Sequence, residues 1–135
     1  MNTKELLDIA IKAKENAYVP YSNFRVGAAL LGKSGKIYTG CNVECASYGA
    51  TNCAERTAVF KAVSEGEREF EAIAITSDSN DYTFPCGICR QVIAEFGLDI
   101  EVIASNSSGE YTVCSIKDLI PNVFTGKNIE NMEEI

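Results

Sequence analysis

Three cysteines of this chain lie in two short motifs whose spacing could hold a metal ion. Cys53 opens CAERTAVF, and Cys86 and Cys89 lie in PCGIC, one helical turn apart. Thiolates bind zinc in tetrahedral sets, and helix starts, where both motifs are predicted, lower thiol pKa values. Three thiolates would leave the fourth position for water, which is the arrangement of a catalytic rather than a structural site.

Other interpretations of these cysteines remain open. A lone CxxC is also typical of a redox pair, as in thioredoxin-like proteins. Cys41, Cys45 or Cys114 could complete a shell of four sulfurs, which would make the zinc site closed and structural. Alternatively, Cys45 is a plain buried small residue.

Glu55 is the predicted proton carrier of this site. The chain has no histidine, so acid and base catalysis falls to other side chains. Glu55 is two residues after Cys53 and does not share its helical face, which predicts a carboxylate beside the ion rather than on it. The alternative is an ordinary first-turn glutamate that the helix dipole favours.

Arg56 is predicted to balance charge at the metal. Three thiolates on one Zn²⁺ sum to a negative charge that weakens the pull of the metal on its water, and a neighbouring cation can offset it. We therefore expect Arg56 to hydrogen-bond a ligand sulfur, with Gln91 as a second candidate. A surface salt bridge is the alternative for Arg56.

Composition and charge exclude several classes of protein. The chain has 135 residues, a formal net charge of −7 and a pI of about 4.6, which argues against nucleic acid as a partner. Its first residues interrupt their apolar positions with charges, and no later stretch is apolar enough to span a membrane. A cytoplasmic protein is predicted, in which clustered cysteines indicate metal or redox chemistry.

The hydrophobic pattern predicts one α/β domain over residues 1–135. Asn2 caps a first helix that Pro20 stops, and Pro85 lies in the first turn of a helix that Gly97 stops. The tail from Thr125 is polar and acidic and is predicted to be weakly ordered. Between these points we expect a hairpin of strands at 24–31 and 37–40, a helix at 53–64, strands at 71–77, 100–105 and 111–115, and a short helix in SIKDLIP.

The combination of CAE with PCGIC matches the zinc deaminase pattern in its all-cysteine form. With YVPYSNFRVGAAL, TGCNVECASYG and PCGICRQV, the chain resembles the small cytidine deaminases from about Leu6 to Phe124. The resemblance implies a three-layer α/β/α domain with a mixed sheet of about five strands, one Zn²⁺ per subunit and a homotetramer. It also implies hydrolysis of cytidine and 2′-deoxycytidine to the uridine nucleosides and ammonia, as in pyrimidine salvage. Cys45 departs from the family, which usually has Asn there.

Several residues are expected to contact the nucleoside. Asn42 and Glu44 share one face of an extended stretch, and the resemblance implies that they hold the ribose. It further implies that Phe24 stacks on the pyrimidine, that backbone groups near Ala54 and in 46–49, which includes Tyr48, contact the base, and that Phe124 enters the site of a neighbouring subunit. Without the resemblance, Asn42 and Glu44 would be a solvated strand edge and Phe24 a core residue.

Two other functions compete with this one. The chain could be a zinc-stabilised binding module without catalysis, or a deaminase of a modified cytosine nucleoside such as an antibiotic. The acidic net charge and the presence of Glu55, which a binding module would leave unused, disfavour the binding module. The NVE stretch and YVPYSNF suit an ordinary ribose and disfavour the modified nucleoside.

Overall fold

The protein folds around a single five-stranded sheet, described here from a computed structural model. The structure describes residues 1–133, with side chains to Ile129. Within this part, no helix has the length and apolar character that crossing a membrane requires. The elements are α1 (Thr3–Lys14), β1 (Val26–Gly32), β2 (Ile37–Cys41), α2 (Ala54–Ser64), β3 (Phe70–Ser77), α3 (Gly87–Glu95), β4 (Glu101–Ser105), β5 (Tyr111–Ser115), α4 (Ile116–Leu119) and α5 (Gly126–Glu133).

The sheet is mixed, as predicted. Its strand order is β2-β1-β3-β4-β5, and β1 pairs antiparallel with both β2 and β3. The strands β3 and β4 are parallel and are joined through α3, whereas β4 and β5 form an antiparallel pair. The hairpin, the order of the elements and the partly parallel sheet therefore agree with the sequence prediction.

Helices cover both faces of the sheet, which gives the three predicted layers. Alternate residues of β1 point to opposite faces: Leu30 belongs to the apolar cluster under α2 and α3, and Ala29 belongs to the cluster under α1. In β3, Ile75 and Ala74 divide in the same way. The starts of α2 and α3 consequently lie on one side of the sheet.

Helix α1 begins as predicted but ends early. The side-chain oxygen of Asn2 accepts a hydrogen bond from the backbone N–H of Glu5 at 2.9 Å. The helix ends at Lys14, well before Pro20, so the prediction that Pro20 stops it is wrong. The reason is tertiary: the backbone of Tyr18 forms a bridge to Val43 and leaves the helical path.

Two further boundaries differ from the prediction. Pro85 precedes α3, whose cap is Cys86 and whose first residue is Gly87. The tail, for which the sequence predicts no element, forms helix α5. At its start, the Asn128 side chain accepts a hydrogen bond from the backbone N–H of Thr125 at 2.8 Å, a local cap that the composition of the tail concealed. Residues 134 and 135 lie outside the described part.

Candidate active site

The start of α2 is held close to the sheet. Cys53 is its N-cap with extended backbone, and Ala54 is fully buried behind it. Gly40 of β2 permits this approach, because a Cβ there would lie 2.6 Å from the backbone nitrogen of Ala58 and closer still to the carbonyl of Ala54. The Thr57 hydroxyl donates to the Cys53 carbonyl at 3.1 Å. The backbone of Cys53 is thereby fixed.

The start of α3 is held by an arginine. Cys86 caps the helix, and Cys89 is buried one turn later. The Arg90 guanidinium donates to the Pro85 carbonyl at 2.7 Å and to the Leu119 carbonyl at 2.8 Å. The turn that presents Cys86 is therefore tied to the end of α4.

The three predicted thiols meet at one point. The sulfurs of Cys53, Cys86 and Cys89 all lie within 4.8 Å of one another, and those of Cys53 and Cys86 are 3.7 Å apart. Two sulfurs at about 2.3 Å from one zinc ion in tetrahedral geometry are about 3.8 Å apart, so this donor set fits zinc. Among the described residues, no fourth cysteine joins the group.

The other cysteines lie elsewhere. The Cys45 sulfur is 3.9 Å from the carbonyl oxygen of Ala50, and Cys114 lies in β5 opposite Val102. Cys41 ends β2. All six cysteines are free thiols. This arrangement disfavours a closed shell of four sulfurs.

The cluster favours a thiolate at Cys53. Hydrogen bonds from the Cys89 thiol and from Arg56 lower the pKa of Cys53 to about 5, although burial opposes this shift. Sharing a proton with Cys53, together with burial, raises the pKa of Cys89. A cation is thus the natural partner of the group, since it would release the remaining protons.

Arg56 supplies one positive charge at this point. Its guanidinium donates to the Cys53 sulfur at 3.0 Å, as the charge argument predicts. Its Nε is buried without a hydrogen-bond partner among the described residues. Gln91 is the second candidate for a hydrogen bond to a clustered sulfur. Its side-chain amide instead donates to the backbone carbonyl of Phe124.

Glu55 is a buried carboxyl beside the thiols. Its side chain is only 4% exposed and is not one of the clustered donors. Burial, with a smaller contribution from the Cys53 thiolate, raises the pKa of Glu55 to about 7. A carboxyl with such a pKa can both accept and release a proton near neutral pH.

A cavity of about 200 Å³ opens at this carboxyl. It lies where β1 begins and β2 ends, against the starts of α2 and α3. Sequence reasoning found Asn42, Cys53, Ala54, Glu55 and Cys86 of its lining. It missed the rest, because one of them begins β1, the others lie outside the helices and strands, and none belongs to a chemical motif. The missed residues are Val26, Thr51, Asn52, Thr83 and Phe84.

Asn42 and Glu44 contact the loop that follows α1. The Asn42 amide accepts a hydrogen bond from Val26 N–H and donates to the Phe24 carbonyl, both at 2.9 Å. The Glu44 carboxylate accepts hydrogen bonds from the Ser22 hydroxyl and from the backbone N–H groups of Ser22 and Tyr21. These bonds, that of the Ser22 hydroxyl first, lower the pKa of Glu44. The two side chains are therefore part of a hydrogen-bonded network with residues 21–26.

Residues 1–105 match the family described as the cytidine and deoxycytidylate deaminase zinc-binding region. The chain belongs to this deaminase family. Most of the sequence is covered, including all three clustered thiols and Glu55.

Known cytidine deaminases are similar to this chain over almost its whole length. The cytidine deaminase of Halalkalibacterium halodurans is 48% identical, with 97% of this chain and 100% of the relative covered. That of Sporosarcina psychrophila is 47% identical, with 99% of each covered. The crystal structure of cytidine deaminase from Burkholderia pseudomallei superposes with a TM-score of 0.89 at 49% identity, covering 92% of this chain and 100% of that one.

The aromatic residues expected in the deaminase site lie outside the cavity of a single chain. Phe24 is 40% exposed, Tyr48 is 74% exposed and Phe124 is 55% exposed. Tyr48 contacts Tyr21 edge-on, with ring centroids 5.7 Å apart. The backbone carbonyl of Phe124 accepts a hydrogen bond from Gln91 of α3, and the Phe124 ring takes no part in this contact.

Proposed function

We propose that this chain hydrolyses cytidine and 2′-deoxycytidine to uridine and 2′-deoxyuridine with release of ammonia. The observation that carries the proposal is a buried Glu55 beside three clustered thiols at the wall of a cavity. Relatives that cover nearly the whole chain bear the name cytidine deaminase. Hydrolytic removal of an amine needs a nucleophilic water and a proton carrier, and this site offers a place for each.

Cys53, Cys86 and Cys89 would hold one zinc ion per subunit. Zinc supplies Lewis-acid chemistry that makes water a nucleophile near neutral pH. Glu55 takes the proton of the attacking water and delivers it to N3 of the pyrimidine ring. The same carboxyl then moves a proton to the departing amine, which leaves as ammonia.

The remaining residues bind and orient the nucleoside. Asn42 and Glu44 hold the ribose hydroxyls, Phe24 contacts the pyrimidine face, and the backbone at Ala54 contacts the base. Arg56 offsets the negative charge of the thiolates through its bond to Cys53. Of these residues, Asn42 and Ala54 line the cavity.

Free nucleosides are favoured over nucleotides as substrates. Arg25 follows Phe24 and would be the nearest candidate to bind a phosphate. Its guanidinium is held by both carboxylate oxygens of Asp78, at 3.1 and 3.0 Å, and Lys14 contacts the same carboxylate at 3.1 Å. Both cations therefore already contact the Asp78 carboxylate, and a phosphate would have to compete with it for them.

A direct assay tests the proposed function. Ultraviolet absorbance should show loss of cytidine and 2′-deoxycytidine, and a chelator should abolish this loss. CMP and dCMP should remain unchanged. Zinc binding without turnover of either nucleoside would instead indicate a binding module, for which a buried, proton-exchanging Glu55 has no use.

We further propose a cytoplasmic homotetramer in which Tyr48 and Phe124 complete the site of a neighbouring subunit. Their exposure and their absence from the cavity of one chain support this assignment. Six free cysteines suit a reducing compartment. Light scattering measures the number of subunits.

Mixing two inactive variants tests the shared site. Glu55→Gln and Phe124→Ala each damage a different component, so a mixed oligomer contains some intact sites. If the two residues serve one site from different chains, co-refolding equal amounts should recover about a quarter of wild-type turnover by random assembly. If oligomers that are shown to contain both variants recover no turnover, the proposal that neighbouring subunits share one site is contradicted.

A further inference from the structure

The Ser22 hydroxyl lies between two residues assigned to the nucleoside site. It donates a hydrogen bond to Oε2 of Glu44 and accepts one from the backbone N–H of Phe24 at 3.0 Å. The other carboxylate oxygen, Oε1, accepts the backbone N–H groups of Tyr21 and Ser22, each at 3.0 Å. Ser22 therefore contributes to the contacts of both carboxylate oxygens.

The bond from Phe24 gives the hydroxyl a direction. A serine hydroxyl has one proton and rotates freely unless its lone pairs are engaged. With the Phe24 N–H on a lone pair, the proton is directed to Glu44. The left-handed backbone of Asn23 (φ 58°) forms the tight turn that brings the two groups together.

Three donors thus fix the plane of the Glu44 carboxylate. An ionised carboxylate offers about four lone-pair positions, so about one remains for a further donor. Glu44 is a partly exposed side chain with rotatable bonds, and without the Ser22 hydroxyl only the two backbone contacts to Oε1 would restrain it. The orientation of Oε2 depends on the Ser22 hydroxyl.

We propose that Ser22 is a positioning residue that sets the Glu44 carboxylate for the sugar 3′-hydroxyl. The inference rests on the proposed nucleoside deaminase function. Ser22 itself touches neither the base nor the reacting atoms. Its removal lowers affinity for substrates that carry the 3′-hydroxyl and leaves the chemical step intact.

Steady-state kinetics with two substrates tests this role. Ser22→Ala should raise KM for cytidine about three- to tenfold, since a hydrogen bond to a charged group is lost. The value of kcat should stay within about twofold, because binding is lost equally in the ground and transition states. KM for 3′-deoxycytidine should not change, because Glu44 then has no hydroxyl to bind. Ser22→Thr should restore the KM for cytidine.

Ser34 provides a matched control far from the cavity. Its hydroxyl donates to the carboxylate of Glu67 and accepts the backbone N–H of Lys36, two residues later, which is the same arrangement. Ser34→Ala should leave both kinetic constants unchanged, and melting temperatures verify that both variants fold. Ser22→Cys keeps the size but donates weakly, and it should behave like the alanine variant.

The outcomes separate this inference from the proposed function. An unchanged KM for cytidine in Ser22→Ala would overturn the role of Ser22. An equal rise for 3′-deoxycytidine would also overturn it, because the effect would then pass through Phe24 rather than Glu44. Failure of the wild-type protein to deaminate cytidine would instead remove the proposed function itself.

Discussion

The two helix starts that carry the clustered thiols are built differently. At α2, the stabilising hydrogen bonds come from residues about one helical turn away. Arg56 donates to the Cys53 sulfur, and Thr57 donates to the Cys53 carbonyl. At α3, Arg90 reaches out of the helix to Leu119, and Ile88 in the first turn is 62% exposed. The first start is hydrogen-bonded by its own residues and packed on the sheet, and the second depends on a remote segment.

The two starts meet different demands of the proposed chemistry. The α2 start contributes one thiol together with Glu55 and Arg56, so its position relative to the sheet controls proton transfer. The α3 start contributes two thiols and no proton carrier. Groups that move protons must be placed to fractions of an ångström, and tight packing provides such placement.

The largest effect is expected at the buried carboxyl of α2. Glu55→Gln keeps the shape but cannot exchange a proton, so turnover of cytidine should fall by about 10²- to 10⁴-fold. Zinc content, measured by atomic absorption, should stay at the wild-type level. The matched change at the exposed end of α3, Glu95→Gln, should leave turnover unaltered. Full activity in Glu55→Gln would remove Glu55 from the mechanism.

The two arginines should affect different properties. Arg56→Ala removes the cation from a ligand sulfur, and loss of such an outer contact should lower activity or zinc affinity by about 10- to 100-fold. Arg90→Ala removes donors from two carbonyls and should mainly lower the free energy of unfolding, by about 1–3 kcal/mol.

Zinc titration and denaturant unfolding of both arginine variants measure the difference. If Arg56→Ala loses only stability while Arg90→Ala loses only activity, the contrast between the two helix starts is reversed.

Packing at the two starts is probed by adding a methyl group. Gly40→Ala drives a Cβ into the backbone of α2 and should destabilise the fold by about 1–3 kcal/mol. At the start of α3, a Cβ on Gly87 meets no atom within 4 Å, so Gly87→Ala should be neutral or stabilise by up to about 1 kcal/mol. Thermal melting of both variants measures this contrast, and equal losses would contradict it.

The smallest effect is expected at the local bond of α2. Thr57→Val removes the hydroxyl that donates to the Cys53 carbonyl and accepts from the Asn52 amide at 3.1 Å. We expect a loss of about 0.5–1.5 kcal/mol in denaturant unfolding. Turnover should change less than in Arg56→Ala, since no charge near the sulfur is altered. A larger loss of turnover would show that the Cys53 backbone needs this bond.

Features predicted correctly from the sequence depend on neighbouring residues. The strand alternation and the helix after Cys53 follow from side chains a few positions apart, and the Arg56 contact to Cys53 is a single-turn interaction. The differences from the prediction involve remote partners. Tyr18 leaves α1 because its backbone pairs with Asn42 and Glu44, and Gln91 bonds Phe124 instead of a sulfur.

The amino-acid sequence by itself determined the donor types, their placement at two helix starts and the family resemblance, because these depend on order and spacing along the chain. Only the tertiary structure decided that sulfurs 33 residues apart lie 3.7 Å from each other, and that Glu55 is buried enough for its pKa to rise. It also decided that Glu44 is held by Ser22. These outcomes depend on how α2 and the loop after α1 pack against the sheet, and such long-range packing has no local signal.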